Sequence, residues 1–145
     1  MSLMLNDQSN DLSKQQKRDN AWLKQRLDDL WANYFSDVEV TNPVVIRFGR
    51  YSKYRLGSIR LNRKSKISQI TITGMFKKLS IDSRVVDQTI AHELCHYAHG
   101  FSSFRPRLHK YPHYGGVINK ELRLRGLEAL IRAYSKWVKE YRLTL

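Results

Sequence analysis

The chain has 145 residues, 41% of them apolar, and a formal net charge of +13; this fits one globular domain with a single core and excludes a disordered protein. Its one cysteine, Cys95, excludes an internal disulfide and a four-cysteine zinc ribbon, so any metal must rest mainly on histidines and carboxylates. No apolar run is long enough to cross a bilayer, and the polar N-terminal stretch lacks the apolar centre of a secretory signal. An intracellular protein is therefore expected, cytoplasmic or nucleoid-associated.

Residues 1–10 read as a disordered terminus and 11–145 as one domain. From Leu12 to about Phe35, the residues Leu23, Leu27, Leu30, Trp31 and Tyr34 recur at three- and four-residue steps and predict a helix. Asn42-Pro43 ends that region, because proline and its predecessor disfavour helix. Val44–Phe48, Ser58–Leu61 and Ile67–Thr73 are rich in β-branched residues and read as strands. Gly49, Gly57 and a basic turn around 62–66 separate them. Asp82 or Ser83 can cap the next helix, Val85, Val86, Ile90 and Leu94 supply its apolar positions, and Gly100 is placed to stop it. Residues 101–116 hold Pro106, Pro112, Gly115 and Gly116 and read as a loop. From Val117 to about Tyr141 the stripe Leu127, Leu130, Ile131, Tyr134, Trp137, Val138 and Tyr141 predicts helix again, with Gly126 able to split it in two. This order predicts an α+β domain. Trp22, Trp31 and Trp137 are expected in its core, together with Cys95, and Asp87 on its surface.

The charge is uneven. No acidic residue lies between Glu39 and Asp82, an interval carrying Arg47, Arg50, Lys53, Arg55, Arg60, Arg63, Lys64, Lys66, Lys77 and Lys78. Such an imbalance concentrates polyanions, of which nucleic acid is the commonest inside cells, and the first eight of these cations are its candidate contacts. Phe48, Tyr51 and Tyr54 interleave with them and can stack on unpaired bases.

The motif with the sharpest chemistry is His92-Glu93-Leu94-Cys95-His96. Residues four apart on a helix lie on one face, so His92 and His96 can converge on a tetrahedral zinc ion. Glu93 sits to one side, able to reach a zinc-bound water without being a ligand. A catalytic zinc needs a third protein ligand. His113 suits best, because Pro112 stiffens its approach and Gly115-Gly116 permits a tight turn; His109, His99 and an acid such as Glu121 stay open as alternatives.

The run from Arg47 to Leu122 resembles the SprT-like metallopeptidase domain, the family that includes Spartan-type proteases acting on DNA–protein crosslinks. The likeness rests on Gly57-Ser58-Ile59-Arg60-Leu61, on Val86-Asp87-Gln88-Thr89-Ile90-Ala91 leading into the histidine motif, and on His113-Tyr114-Gly115-Gly116. It implies a zincin-like fold, zinc on His92, His96 and His113, and Glu93 as acid/base in peptide-bond hydrolysis. This chain places Tyr114 between its histidine and glycine, and has no cysteines for the zinc ribbon that many members carry. Tyr114, Tyr111 and His109 are candidates for oxyanion stabilisation, Tyr114 first. The expected function is a zinc endopeptidase acting on nucleic-acid-associated protein, with DNA as partner. The alternatives are a zinc-containing nucleic-acid-binding module without turnover, or a regulatory peptidase with an acidic protein substrate.

Overall fold

The computed structural model describes residues 17–145; the expected disordered terminus, 1–10, lies outside them. The first helix, α1 (Asn20–Tyr34), begins at a cap: the Asp19 carboxylate accepts from the Trp22 N–H at 2.9 Å, satisfying one of the free donors at a helix start. The sequence pattern runs the helix from Leu12; residues 12–16 lie outside the described ones, and Lys17 and Arg18 are not helical. Arg18 is instead spent on the loop before the next helix, donating to the carbonyls of Phe76 and Lys78 (3.0 Å each) and Ile81 (2.7 Å).

Three strands follow, β1 (Val44–Phe48), β2 (Gly57–Asn62) and β3 (Ile67–Ile72). They form a mixed sheet in the order β1-β3-β2, with β1 parallel and β2 antiparallel to the central strand. The hairpin turn is the expected basic one: Asn62 Oδ1 accepts from the N–H groups of Lys64 (2.9 Å) and Ser65 (3.1 Å). Alternation along the strands gives the sheet two unlike faces. Ile46, Phe48, Ile70 and Ile72 are buried, whereas Val45, Arg47 and Arg60 are exposed.

The second helix, α2 (Ser83–Ala98), is capped by Asp82, whose carboxylate accepts from the Arg84 N–H at 2.9 Å. It ends in a Schellman turn: Phe101 N–H donates to His96 O (2.9 Å), Gly100 N–H donates to Tyr97 O (3.1 Å), and Gly100 has φ +85°. A Cβ at Gly100 would also meet Pro106 O at 2.4 Å, so this glycine is required twice over. The last segment is split as Gly126 allows, into α3 (Val117–Leu124) and α4 (Glu128–Arg142). The described residues therefore form an α+β arrangement of four α-helices and one small mixed sheet. No helix among them is long and apolar enough to cross a membrane.

One hydrophobic cluster joins the elements, with Leu23, Phe35, Ile70, Ile72, Phe76, Val85, Ile90, Leu94, Tyr97 and Leu122 fully or almost fully covered. Helix α2 lies at its centre, buried nearly all round. Cys95 is part of this core, and burial pushes its thiol up to about 12, so it is inert at neutral pH. The three tryptophans are half-buried against the cluster rather than inside it.

Asp87 departs from the surface position expected of it. It is buried and takes both forks of Arg26, with Nε to Oδ1 at 2.8 Å and Nη2 on Oδ2. The pair ties α1 to α2, five residues before the histidine motif begins. Breaking a buried pair strands the remaining charge. Arg26 keeps some solvent, which places the cost at the lower end. Asp87→Ala is expected to lose about 3 kcal/mol of unfolding free energy in urea titration, with no change in the residues of the metal site.

Candidate metal centre

Helix α2 presents His92 and His96 one turn apart, and the loop before α3 returns His113 to them. The three Nε2 atoms form a nearly equilateral triangle: 3.1 Å from His92 to His96, 3.2 Å from His92 to His113 and 2.9 Å from His96 to His113. Three imidazole nitrogens this close must either share protons in hydrogen bonds or surround a cation. Zinc–nitrogen bonds of about 2.0–2.1 Å would space three tetrahedral donors by roughly 3.3 Å, close to the observed edges. These three residues are close enough to hold a metal ion, and the donor set is compatible with zinc.

Protonation does not oppose binding. Burial, with the neighbouring histidines, depresses His92 to about 4 and His96 to about 3, so both are neutral at pH 7 and have lone pairs to give. The Nδ1 of His96, which carries the proton when Nε2 is the donor, is buried without a partner among the described residues. Packing orients that ring instead, with Phe101 edge-on at 6.2 Å.

His113 reaches the triangle through two residues of left-handed backbone, Gly115 (φ +70°) and Gly116 (φ +67°), the second capping α3. Nothing crowds either glycine, so the requirement is conformational, not steric. The other candidate third ligands are engaged elsewhere. His99 is buried with Nε2 3.0 Å from Glu121 Oε1, and Glu121 binds Arg125 through its other oxygen. His109 lies with its ring 4.5 Å from that of His99.

Glu93 is buried, and its carboxyl faces an open cleft of about 660 Å³ beside the triangle. Burial raises its pKa to about 7, against a smaller opposing pull from Arg55. Arg55, Leu56 and Gly57 form one wall of the cleft, Gln88, Thr89, His92 and Glu93 the floor, and Asn119, Ile131, Tyr134 and Ser135 the far side. Gly57 allows β2 to approach α2, since a Cβ there would meet Thr89 Cγ2 at 2.6 Å.

The raised Glu93 pKa predicts a pH signature in the metal-stripped protein. A carboxyl whose folded pKa exceeds its ordinary value of 4.5 contributes fully below that value, and its contribution is lost as pH rises through 7. Metal-stripped Glu93→Gln is therefore expected to match wild type near pH 4.5 and to exceed it by up to about 3 kcal/mol above pH 7. His92 and His96 act in the opposite sense, destabilising both proteins equally as pH falls below 6.5, so the difference isolates Glu93. Urea unfolding at several pH values measures it.

The proposed nucleic-acid contacts lie on several elements. Arg47 and Arg60 lie on the exposed sheet face, Arg63, Lys64 and Lys66 at the hairpin turn, and Arg55 in the cleft wall. Arg50 and Lys53 lie in the β1–β2 connection, where Lys53 O accepts from Tyr141 Oη at 2.9 Å. Tyr114 is 79% exposed and does not line the cleft, whereas Tyr134, which helical spacing places in an apolar stripe, does. Asn119 and Ser135 also stand in the cleft with no sequence signal beyond a polar residue on a helix. Comparison of the chain with protein-family models, curated proteins and solved structures finds no match. The resemblance to the SprT-like domain rests on the motif residues alone.

Proposed function

We propose that the protein is a zinc-dependent endopeptidase of zincin-like, SprT-like type. It would act in the cytoplasm or on the nucleoid, on protein associated with or crosslinked to DNA. One observation carries the hydrolytic part: a carboxylate that is not part of the triangle, Glu93, stands in an open cleft beside three convergent imidazoles. A purely structural metal site is closed by four ligands and has no need of such a group.

His92, His96 and His113 would hold the zinc. Bound there, it would supply Lewis acidity. Glu93 accepts the proton of the attacking water and passes it to the leaving amine; a carboxyl with pKa near neutrality suits both steps. Arg55 favours the ionised form that begins the cycle. Beyond β2 there is no further strand among the described residues. The Thr73 N–H bonds to Leu56 O, so by alternation Gly57 turns its main-chain groups outward, where an extended peptide can pair with them.

The nucleic-acid part rests on the acid-free basic interval and the exposed basic sheet face. Cleavage of a DNA-binding protein is expected to rise when DNA is added and to lose that stimulation steeply between 50 and 200 mM salt. Equal cleavage with and without DNA would leave a general peptidase and remove the DNA-linked role.

A further inference from the structure

A second hollow, of about 360 Å³, lies where β2 meets the turn after α2, lined by Arg60, Leu61, Arg63, Gly100, Ser102, Ser103 and Arg107. No carboxylate lines it. Its three guanidinium groups make no ion pair and no hydrogen bond among the described residues, although elsewhere Arg26, Arg84, Arg123 and Arg125 are each paired with acids.

The wall between these arginines is fixed. Ser68 Oγ donates to Ser102 O (2.6 Å), Ser102 Oγ donates to Ile59 O (3.1 Å) and Ser103 Oγ donates to Tyr97 O (2.9 Å). Ser102 itself has φ +56°, a costly conformation for a residue with a Cβ, and these bonds hold it there. Arg107 is placed by its stack on Phe101, guanidinium to ring centre 4.6 Å. The same ring touches His96 edge-on, so one aromatic side chain separates the hollow from a member of the triangle.

We propose that this hollow is a phosphate-binding site for the backbone of a nucleic acid strand, with Arg60, Arg63 and Arg107 as its contacts. Three guanidinium forks lining one hollow, with no acid among them, match the several oxygens of successive phosphodiesters. A nucleic acid also presents such charges at the close spacing that three adjacent cations require. The hollow gives Arg60 and Arg63 a role that the rest of the basic interval does not share, and it adds Arg107. That residue lies in a second acid-free interval, from Leu94 to Lys120. Phe101, between Arg107 and His96, sets the hollow one aromatic ring away from the triangle. The inference deepens the nucleic-acid part of the proposed function and does not depend on the hydrolytic part.

The test is binding of the full chain to fluorescently labelled DNA oligonucleotides, single- and double-stranded, across a salt series. The triple variant Arg60→Gln, Arg63→Gln, Arg107→Gln is compared with a charge-matched control, Lys17→Gln, Lys136→Gln, Lys139→Gln. All six side chains are exposed, so melting temperatures within a few degrees of wild type are expected for both. The pocket variant is expected to bind at least tenfold more weakly, with the slope of log affinity against log salt reduced by about two to three, while the control keeps most of both. Equal losses in the two variants, or none in the pocket variant, would overturn the site. Loss of polyglutamate binding with DNA binding retained would assign the hollow to an acidic protein and equally overturn it. The readout needs neither zinc nor turnover. An inactive enzyme whose pocket variant loses DNA keeps this inference, and an active one whose pocket variant binds like wild type loses it alone.

Discussion

Glu93→Gln is expected to retain a full complement of zinc and to lose peptide-bond cleavage by about a thousandfold. The amide fills the same space in the cleft floor and leaves His92, His96 and His113 untouched, so affinity for the metal should stay near wild type. What disappears is proton transfer at two points, from the attacking water and to the leaving amine. General acid–base catalysis contributes about 10²–10⁴, and one residue serving both steps belongs in the upper half of that range. The loss should fall on kcat, with KM little changed, because Glu93 is argued to act on the reacting atoms and not to anchor the substrate. Steady-state cleavage of an unfolded protein substrate, with zinc measured on the same samples, gives both numbers. A parallel loss of zinc would make Glu93 a ligand, contrary to its place outside the triangle.

His113→Ala should separate metal binding from folding. The residue is exposed, on a loop outside the hydrophobic cluster, so its removal should leave the melting temperature of the metal-stripped protein unchanged. Zinc binding to small sites is worth about 10–16 kcal/mol over four ligands. One ligand therefore accounts for roughly 3 kcal/mol, or about a hundredfold in affinity. Zinc competition against a chromophoric chelator measures this. His109→Ala should show no such loss, since that ring lies against His99 and not in the triangle. If the two variants exchanged behaviours, the loop would have to fold differently from the arrangement described.

The features legible in the sequence were those carried by short stretches of chain. The strand Val44–Phe48 fills the stretch between Pro43 and Gly49, and the cap at Asp82 and the stop at Gly100 are local rules of helix ends. The convergence of His92 and His96 follows from helical geometry. The placement of His113 needed only a proline before it and two glycines after it.

Features built from distant segments were not legible. Arg26 and Asp87 are 61 residues apart, and nothing in either neighbourhood announces the other, so Asp87 reads as a surface acid. Leucine spacing says where a helix can run, not that Arg18 is drawn away by the carbonyls of Phe76, Lys78 and Ile81, just before α1 begins. Tyr134 satisfies an apolar stripe and lines the cleft, and spacing cannot distinguish the two roles. Arg107 lies beyond the interval that ends at Asp82, in a second stretch without acids between Glu93 and Glu121.

The central claim is that three histidines hold a metal which, with Glu93, cleaves peptide bonds. The most direct test is one experiment on wild type and Glu93→Gln, each stripped of metal and reloaded with zinc, measuring bound zinc and cleavage of a DNA-binding protein in the presence of DNA. One zinc per chain in both proteins, with cleavage by wild type alone, is the expected result. Zinc bound equally by both proteins with no cleavage by either, or with equal cleavage by both, would contradict it.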